Sequence, residues 1–241
     1  VKEVKPDQTA ETSKKQQVEA MFNSIAPQYD FLNRFLSLGI DKGWRKKAIQ
    51  SLKDIEPKYI LDVATGTADL AIESTKLNPI KVTGVDISAL MLKVGEEKII
   101  AKKLSHIIEL VKGDSEELNF SDNNFDAITV AFGVRNFEHL QKGIDEMYRV
   151  LKTGGKIVIL EFSKPKSFPF KQVYDFYFKH ILPTWGGLIS KNKSAYTYLP
   201  ESVKHFPEGK EFITYLNQAG FKKASVQPLT FGICSLYIAT K

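Results

Sequence analysis

The residues able to do chemistry in this chain collect where short apolar runs end. Tyr59–Val63 runs into the small-residue turn Ala64-Thr65-Gly66-Thr67-Ala68 and then into Asp69-Leu70; Lys81–Ile87 carries Asp86 near its end; Ile107–Val111 leads to Gly113-Asp114-Ser115. A strand that enters such a turn and then a helix brings backbone N–H groups and a helix N-terminus to one point, with no bulky side chain to hold a ligand off. Asp86 can accept hydrogen bonds from both hydroxyls of a ribose; its other reading is a helix cap, a task for which Ser88 is better placed. Asp114 and Ser115 can meet an adenine edge or make a plain turn. In a doubly wound sheet ligands sit beyond the carboxyl ends of the strands. The expected pocket is therefore built from Asp62, Thr65, Gly66, Thr67, Asp86, Asp114 and Ser115.

A dinucleotide fold places glycines as G-x-G-x-x-G, the last of which admits a pyrophosphate. In that register this chain has Ala64, Gly66 and Asp69, so a carboxylate would face the pyrophosphate with like charge. A nucleoside that lacks phosphate and carries a positive charge suits the turn better, and S-adenosylmethionine has both properties. Asp62 and Asp69 fit near its amine or sulfonium, with a purely structural place at the helix start as the second reading for Asp69.

The elements that must position these residues follow from periodicity. Lys14–Lys53 reads as helical, with Val18, Met21, Phe22 and Ile25 on one stripe before Pro27 breaks it, a stop at Gly39 and a new start capped by Asp41. Strand and helix then alternate, with Phe125–Phe132 as an unbroken apolar run of the sort covered on both faces. A helix through Leu140, Ile144, Met147 and Leu151 stops at Gly154-Gly155, and Lys156–Phe162 is the fifth strand. Ser163–Phe206 interrupts the rhythm with aromatics and prolines. A helix over Pro207–Ala219 and two strands joined by the short loop Thr230–Gly232 close the chain as an antiparallel hairpin. The expected fold is α/β: a Rossmann-like, mostly parallel seven-stranded sheet with an antiparallel C-terminal hairpin. One domain is expected over 1–241, divided into a helical N-terminal cap (1–58), a cofactor-binding half (59–162), a lid insertion (163–206) and a final helix with hairpin (207–241).

Composition bounds the rest. With 241 residues, 43% hydrophobic and 26% charged, the chain is an ordinary globular one. A formal charge of +6 leaves nucleic acid, an anionic membrane or no special partner open. The single cysteine, Cys234, excludes an internal disulfide and a cysteine-rich zinc site, and no metal is expected. No apolar run approaches the ~20 residues of a membrane span, and the polar, lysine-rich first twenty residues do not read as a signal peptide. A cytoplasmic protein is expected, with a peripheral position at the inner face of the membrane as an option.

Three longer stretches carry a resemblance: YDFLNRFLSLGIDKGWRK (Tyr29–Lys46), FGVRNFEH (Phe132–His139) and YRVLKTGGKIVILEFSKP (Tyr148–Pro165). DVATGTADL resembles the first motif of class I S-adenosylmethionine-dependent methyltransferases. Together the stretches resemble the ubiquinone/menaquinone biosynthesis C-methyltransferase family from about Val18 onward. Two departures stand out. The family turn is usually G-T-G-D where this chain has Gly66-Thr67-Ala68-Asp69, and Ala131 replaces a serine that commonly precedes FG-x-RN, so that side-chain contact is dropped.

The resemblance implies methyl transfer from S-adenosylmethionine to a ring carbon of a polyprenylated quinol, demethylmenaquinol or a benzoquinol, with cofactor contacts at Thr67, Asp86, Asp114 and Ser115. The ring carbon becomes nucleophilic when the neighbouring phenol, of pKa ~10, loses its proton to a base or beside a positive charge. Arg135 is the first choice to stabilise that phenolate, oriented by Asn136, with a clasp on the cap as its other reading. Tyr29 and Asn33 could line the quinol head and Asp30 could be the base; Glu161 and His180 are further base candidates. The aromatic interruption would form a lid and channel for an isoprenoid tail, and the basic balance would help the protein visit an anionic membrane. A homodimer is left open. Nucleic acid is not expected: the chain lacks an Asn-Pro-Pro-Tyr pocket and an appended nucleic-acid module. A non-catalytic scaffold would not need the strand-end acids.

Overall fold

The computed structural model describes residues 4–37, 39–176 and 193–241. His180 and most of the aromatic interruption lie outside them. Seven strands form one sheet in the order β3-β2-β1-β4-β5-β7-β6. They are β1 (Tyr59–Val63), β2 (Lys81–Asp86), β3 (Ile108–Lys112), β4 (Phe125–Ala131), β5 (Leu151–Phe162), β6 (Lys222–Leu229) and β7 (Cys234–Thr240). All neighbours are parallel except at β7, which is antiparallel to both β5 and β6. The hairpin expected from the short loop is present, and its second strand is inserted between the first and β5.

Eight α-helices are described: α1 (Lys14–Leu36), α2 (Ile40–Gln50), α3 (Asp69–Ser74), α4 (Ala89–Ala101), α5 (Leu140–Val150), α6 (Phe170–Phe176), α7 (Lys193–His205) and α8 (Lys210–Gln218). Alternation along the strands separates two cores. Leu61, Val63, Ile128 and Val130 pack under α5 and α8 on one face; Ile60, Ala127, Val158 and Leu160 pack under α2, α3 and α4 on the other. Central strands buried on both faces explain the unbroken apolar runs. The chain reverses its direction of winding between β1 and β4, which makes their carboxyl ends the switch point where a crevice opens.

Three local expectations are corrected. Pro27 lies inside α1 and does not end it. The helix is pinned on both sides of the proline: Ser88 Oγ and Leu90 N–H donate to Asn23, and Asp30 binds Thr67 and Lys98. Asp41 does not cap α2. Gly39, in the left-handed region at φ 76°, turns the chain into the helix, while Asp41 accepts from Ser37 Oγ at 2.7 Å and pairs with Arg45. Finally, α5 stops at Val150, before the glycine pair. The Val150 carbonyl accepts from Asn124 N–H at 2.8 Å, and Gly154 N–H donates to Lys241 O at 3.0 Å. Gly154-Gly155 thus serves the irregular start of β5, where the register shifts against β4.

Candidate active site

At the switch point the turn after β1 takes a tight path, with Ala64, Gly66 and Ala68 all at positive φ (52°, 57° and 64°). Ala68 therefore adopts the left-handed conformation that a glycine would enter without strain. The turn is held from below by Asp62, which is 1% exposed and accepts from Thr65 Oγ1 at 2.6 Å and Thr129 Oγ1 at 2.7 Å. Burial, outweighing those two hydrogen bonds, pushes the Asp62 carboxyl up to about 6. Close packing keeps the turn next to its neighbours. A Cβ on Gly133 would stand 2.5 Å from the Ala64 Cβ, and one on Gly95 of α4 would stand 3.3 Å from the Ala68 Cβ.

A cleft opens over these strand ends. Its floor is Ala64, Gly66, Asp86 and Gly113 to Glu116, its far wall Ala131 to Gly133 with Asn136 and Phe137, and α1 crosses it with Lys15, Val18, Phe22 and Tyr29. Asp86 is fixed by Gly66 N–H and Ser88 N–H, each at 2.8 Å, one on each carboxylate oxygen. Burial raises its carboxyl above the usual range, opposed by those donors. Ser88 is the cap of α4, accepting from Met91 N–H at 3.2 Å, so Asp86 is not needed for capping. Asp114 accepts from Glu116 N–H at 2.8 Å and pairs with Lys15 at 2.5 Å.

Glu116, Lys15, Met91 and Glu138 also line the cleft, beyond the residues that the sequence singles out. Glu116 directly follows Asp114-Ser115 and could have been found from that adjacency. Burial works against its charge, but hydrogen bonds from the His139 backbone and ring, the nearby Lys15 ammonium and the Glu138 N–H prevail and hold its carboxyl below the usual range.

Of the residues expected from sequence, Tyr29, Gly66, Asp86, Asp114, Ser115 and Asn136 come together in this cleft; Asp62, Thr65, Thr67, Asp30, Asn33 and Arg135 stand behind or beside it. Thr67 donates to Asp30 at 2.5 Å, and Lys98 reaches Asp30 at 2.7 Å and also contacts Asp69. Arg45 adds a second partner for Asp69 at 3.1 Å. Burial disfavours the Asp69 charge, yet Lys98 and Arg45 overcome it and lower its carboxyl. This cluster clamps α1 and α2 onto α3 and α4, and it occupies both Asp30 and Asp69. Asn33 hydrogen-bonds Tyr29, whose hydroxyl is pushed up by burial against the pull of that bond, Arg135 and Arg45.

Arg135 lies in the turn Val134–Asn136, beside the cleft, on a second group of side chains. Its guanidinium meets Glu161 at 2.7 Å, with side-chain exposures of 8% and 0%, and lies 5.4 Å from the Phe162 ring centroid. Phe162 stacks on Phe132 at 4.5 Å, and Trp44 meets both rings. Burial pushes the Glu161 carboxyl up, opposed by Arg135 and by the N–H groups of Phe162 and Arg135. Phe132 belongs to this aromatic group and to the cleft wall, so the two regions share a boundary.

The donor set fits S-adenosylmethionine. Asp86, Asp114, Glu116 and Glu138 outnumber Lys15 in the cleft, which favours a cationic ligand over a phosphate, and the Oδ1 of Asn136 is buried there without a partner. Comparison with known proteins agrees. The model of the ubiE/COQ5 methyltransferase family matches residues 10–241. A demethylmenaquinone methyltransferase of Bacteroides fragilis is 53% identical over 229 residues, 95% of this chain and 94% of that protein. The ubiquinone/menaquinone biosynthesis C-methyltransferase UbiE of Geotalea daltonii is 45% identical over 95% of this chain and 98% of that protein. A SAM-dependent methyltransferase of Aquifex aeolicus, 20% identical, shares the fold with a TM-score of 0.57 over 80% of this chain and 88% of its own. The chain is a member of the ubiE/COQ5 methyltransferase family.

Proposed function

We propose that this enzyme C-methylates the ring of a polyprenylated quinol, converting demethylmenaquinol to menaquinol, with S-adenosylmethionine as the methyl donor. When bound, S-adenosylmethionine supplies an electrophilic methyl group on a sulfonium. Asp86 would accept the ribose hydroxyls, Asp114 and Ser115 would meet the adenine edge, and Gly66 leaves the floor of the cleft open. Thr65, Thr67 and Asp62 act beneath, by holding the turn. The net change at the acceptor is the exchange of a ring hydrogen, released as a proton, for a methyl group.

The observation that carries the reading is the shared boundary between an acid-lined cleft and a guanidinium set among aromatic rings. A ring seated against Phe132 and Phe162 would have its oxygen within reach of Arg135, whose positive charge favours the phenolate form. Glu161 anchors Arg135, and Asn136 bridges the two regions. Holding the nucleophilic carbon against the donor is the main task left to the protein. Tyr29, with Asn33 behind it, forms the roof from α1. Asp30 would reach a proton only by leaving Lys98 and Thr67, and Glu161, fully buried, is held in the same way by Arg135 and by the N–H of Phe162.

The lipid substrate would be collected at an anionic membrane surface through an apolar face on α6 and the loop after β6. No helix among the described residues is long and apolar enough to cross a membrane. The test of the reaction is incubation with labelled S-adenosylmethionine and reduced demethylmenaquinol beside the benzoquinol analogue, followed by mass analysis. Label in the naphthoquinone is the expected result; label only in the benzoquinone would reassign the substrate, and label in neither would overturn the reading.

A further inference from the structure

Beside the cleft, three buried polar atoms have no hydrogen-bond partner: Nε of Arg135, Oδ1 of Asn136 and the hydroxyl of Tyr198. Native interiors leave few such atoms, because each one costs the folded chain the hydration it gave up. Arg135 and Asn136 are neighbours in one turn, and α7, which carries Tyr198, packs against that turn. Tyr198 is 4% exposed and seated among Val18, Met21 and Ile25 of α1, with Tyr29 packed on the same cluster. Its hydroxyl is within electrostatic reach of both Arg135 and Glu161, and burial pushes it above the usual phenol range, which keeps it a donor at neutral pH.

A phenylalanine would fill the space among Val18, Met21 and Ile25 as well as a tyrosine does. The hydroxyl has a use only if something polar arrives. The orphaned set comprises two donors, Arg135 Nε–H and Tyr198 O–H, and one acceptor, Asn136 Oδ1. That set matches an aromatic ring oxygen, which accepts from N–H and O–H as a phenolate and donates to an amide oxygen as a phenol. We infer that Tyr198 is a substrate-binding residue, donating a hydrogen bond to a ring oxygen of the acceptor and completing with Arg135 and Asn136 a receptor for a phenol or hydroquinone. The inference rests on the quinol reading above and adds the group that holds the ring from the α7 side.

Tyr198→Phe tests it, with 1-naphthol and naphthalene as probes in the presence of S-adenosylhomocysteine. The wild-type protein should bind the naphthol more tightly than the hydrocarbon, and the variant should lose about tenfold of that preference. S-adenosylhomocysteine affinity should be unchanged, and so should the melting temperature, or it should rise, because the deleted hydroxyl has no partner to lose. In turnover the variant should raise the KM for demethylmenaquinol. Tyr198→Met, as a second variant, should lose the same preference. An unchanged preference in either variant, or no preference in the wild type, overturns the inference. A wild-type protein that prefers the naphthol yet fails to methylate demethylmenaquinol would instead sink the quinol reading and leave the receptor standing.

Discussion

A buried guanidinium–carboxylate pair decides how Arg135 can be tested. With Glu161 fully buried and Arg135 8% exposed at the side chain, Arg135→Ala leaves an unpaired charge in the interior, at a cost of about 3–5 kcal/mol. Its expected loss of turnover would then be confounded with unfolding. Replacing both partners by apolar residues of similar bulk is close to neutral in such pairs. Arg135→Met with Glu161→Leu should recover most of the melting temperature that Arg135→Ala loses, keep S-adenosylmethionine affinity in a calorimetric titration, and remain inactive on the quinol. Activity returning with stability would make Arg135 a clasp only. Asp62 gives a second residue-level prediction, with a defined sign. Its folded carboxyl stands at about 6 against an ordinary 3.8 because burial favours the neutral form. The stability it contributes is therefore fully present below about 4 and lost as pH rises through about 6. Asp62→Asn keeps a neutral group between Thr65 and Thr129, so its melting temperature relative to wild type should be several degrees more favourable at pH 7 than at pH 4.5. A difference that does not change with pH would contradict the raised carboxyl.

At the level of elements, the site is made by how closely two turns approach, and one methyl group should spoil it. Gly133, after β4, has room for no side chain, since its Cβ would sit 2.5 Å from that of Ala64 after β1. Gly133→Ala should push the turns apart at a cost of about 1–3 kcal/mol and weaken S-adenosylmethionine binding roughly in proportion, measured by thermal melting and titration together. Retained affinity at reduced stability would show that the cleft does not depend on this approach. The strand ends were readable in the sequence because apolar runs, small-residue turns and terminal acids are local signals, and Asp86, Asp114, Ser115 and Gly66 do share one cleft. What was hidden is tertiary. Pro27 reads as a breaker, yet α1 continues through it because Asn23 and Asp30 are held by α4 and the turn before α3. Asp30 and Asp69 read as chemical groups, and no local pattern shows that Lys98, almost thirty residues beyond Asp69, neutralises both. Nor could Tyr198 be told from the other aromatics of its segment before its hydroxyl was seen to lie buried without a partner.

If the acceptor is a polyprenylated quinol, the whole molecule must have a way to draw it from lipid into the cleft. One face offers an answer. Phe168 is 80% exposed, Val173 64% and Phe176 60%, and Phe231 (63%) stacks on Phe170 at 3.7 Å, which brings the loop after β6 against α6. Lys166 and Lys171 stand exposed beside these rings, on a chain of formal charge +6. Apolar side chains that enter an interface, with lysines left at the level of anionic headgroups, bind a membrane peripherally, and the electrostatic share falls off within a Debye length of about 8 Å at physiological salt. Wild-type protein should therefore sediment with vesicles containing phosphatidylglycerol at low salt and be partly released at high salt, with weaker binding to neutral phosphatidylcholine. Phe168→Ser combined with Phe231→Ser should weaken vesicle binding about tenfold, since each ring removed from the interface forfeits roughly 1.5–3 kcal/mol when fully buried and less here. The same variant should raise the KM for a long-tailed quinol while leaving that for a short-tailed analogue unchanged, because the second substrate reaches the cleft through water. Equal effects on both substrates would move these phenylalanines from the membrane surface to the walls of the acceptor site.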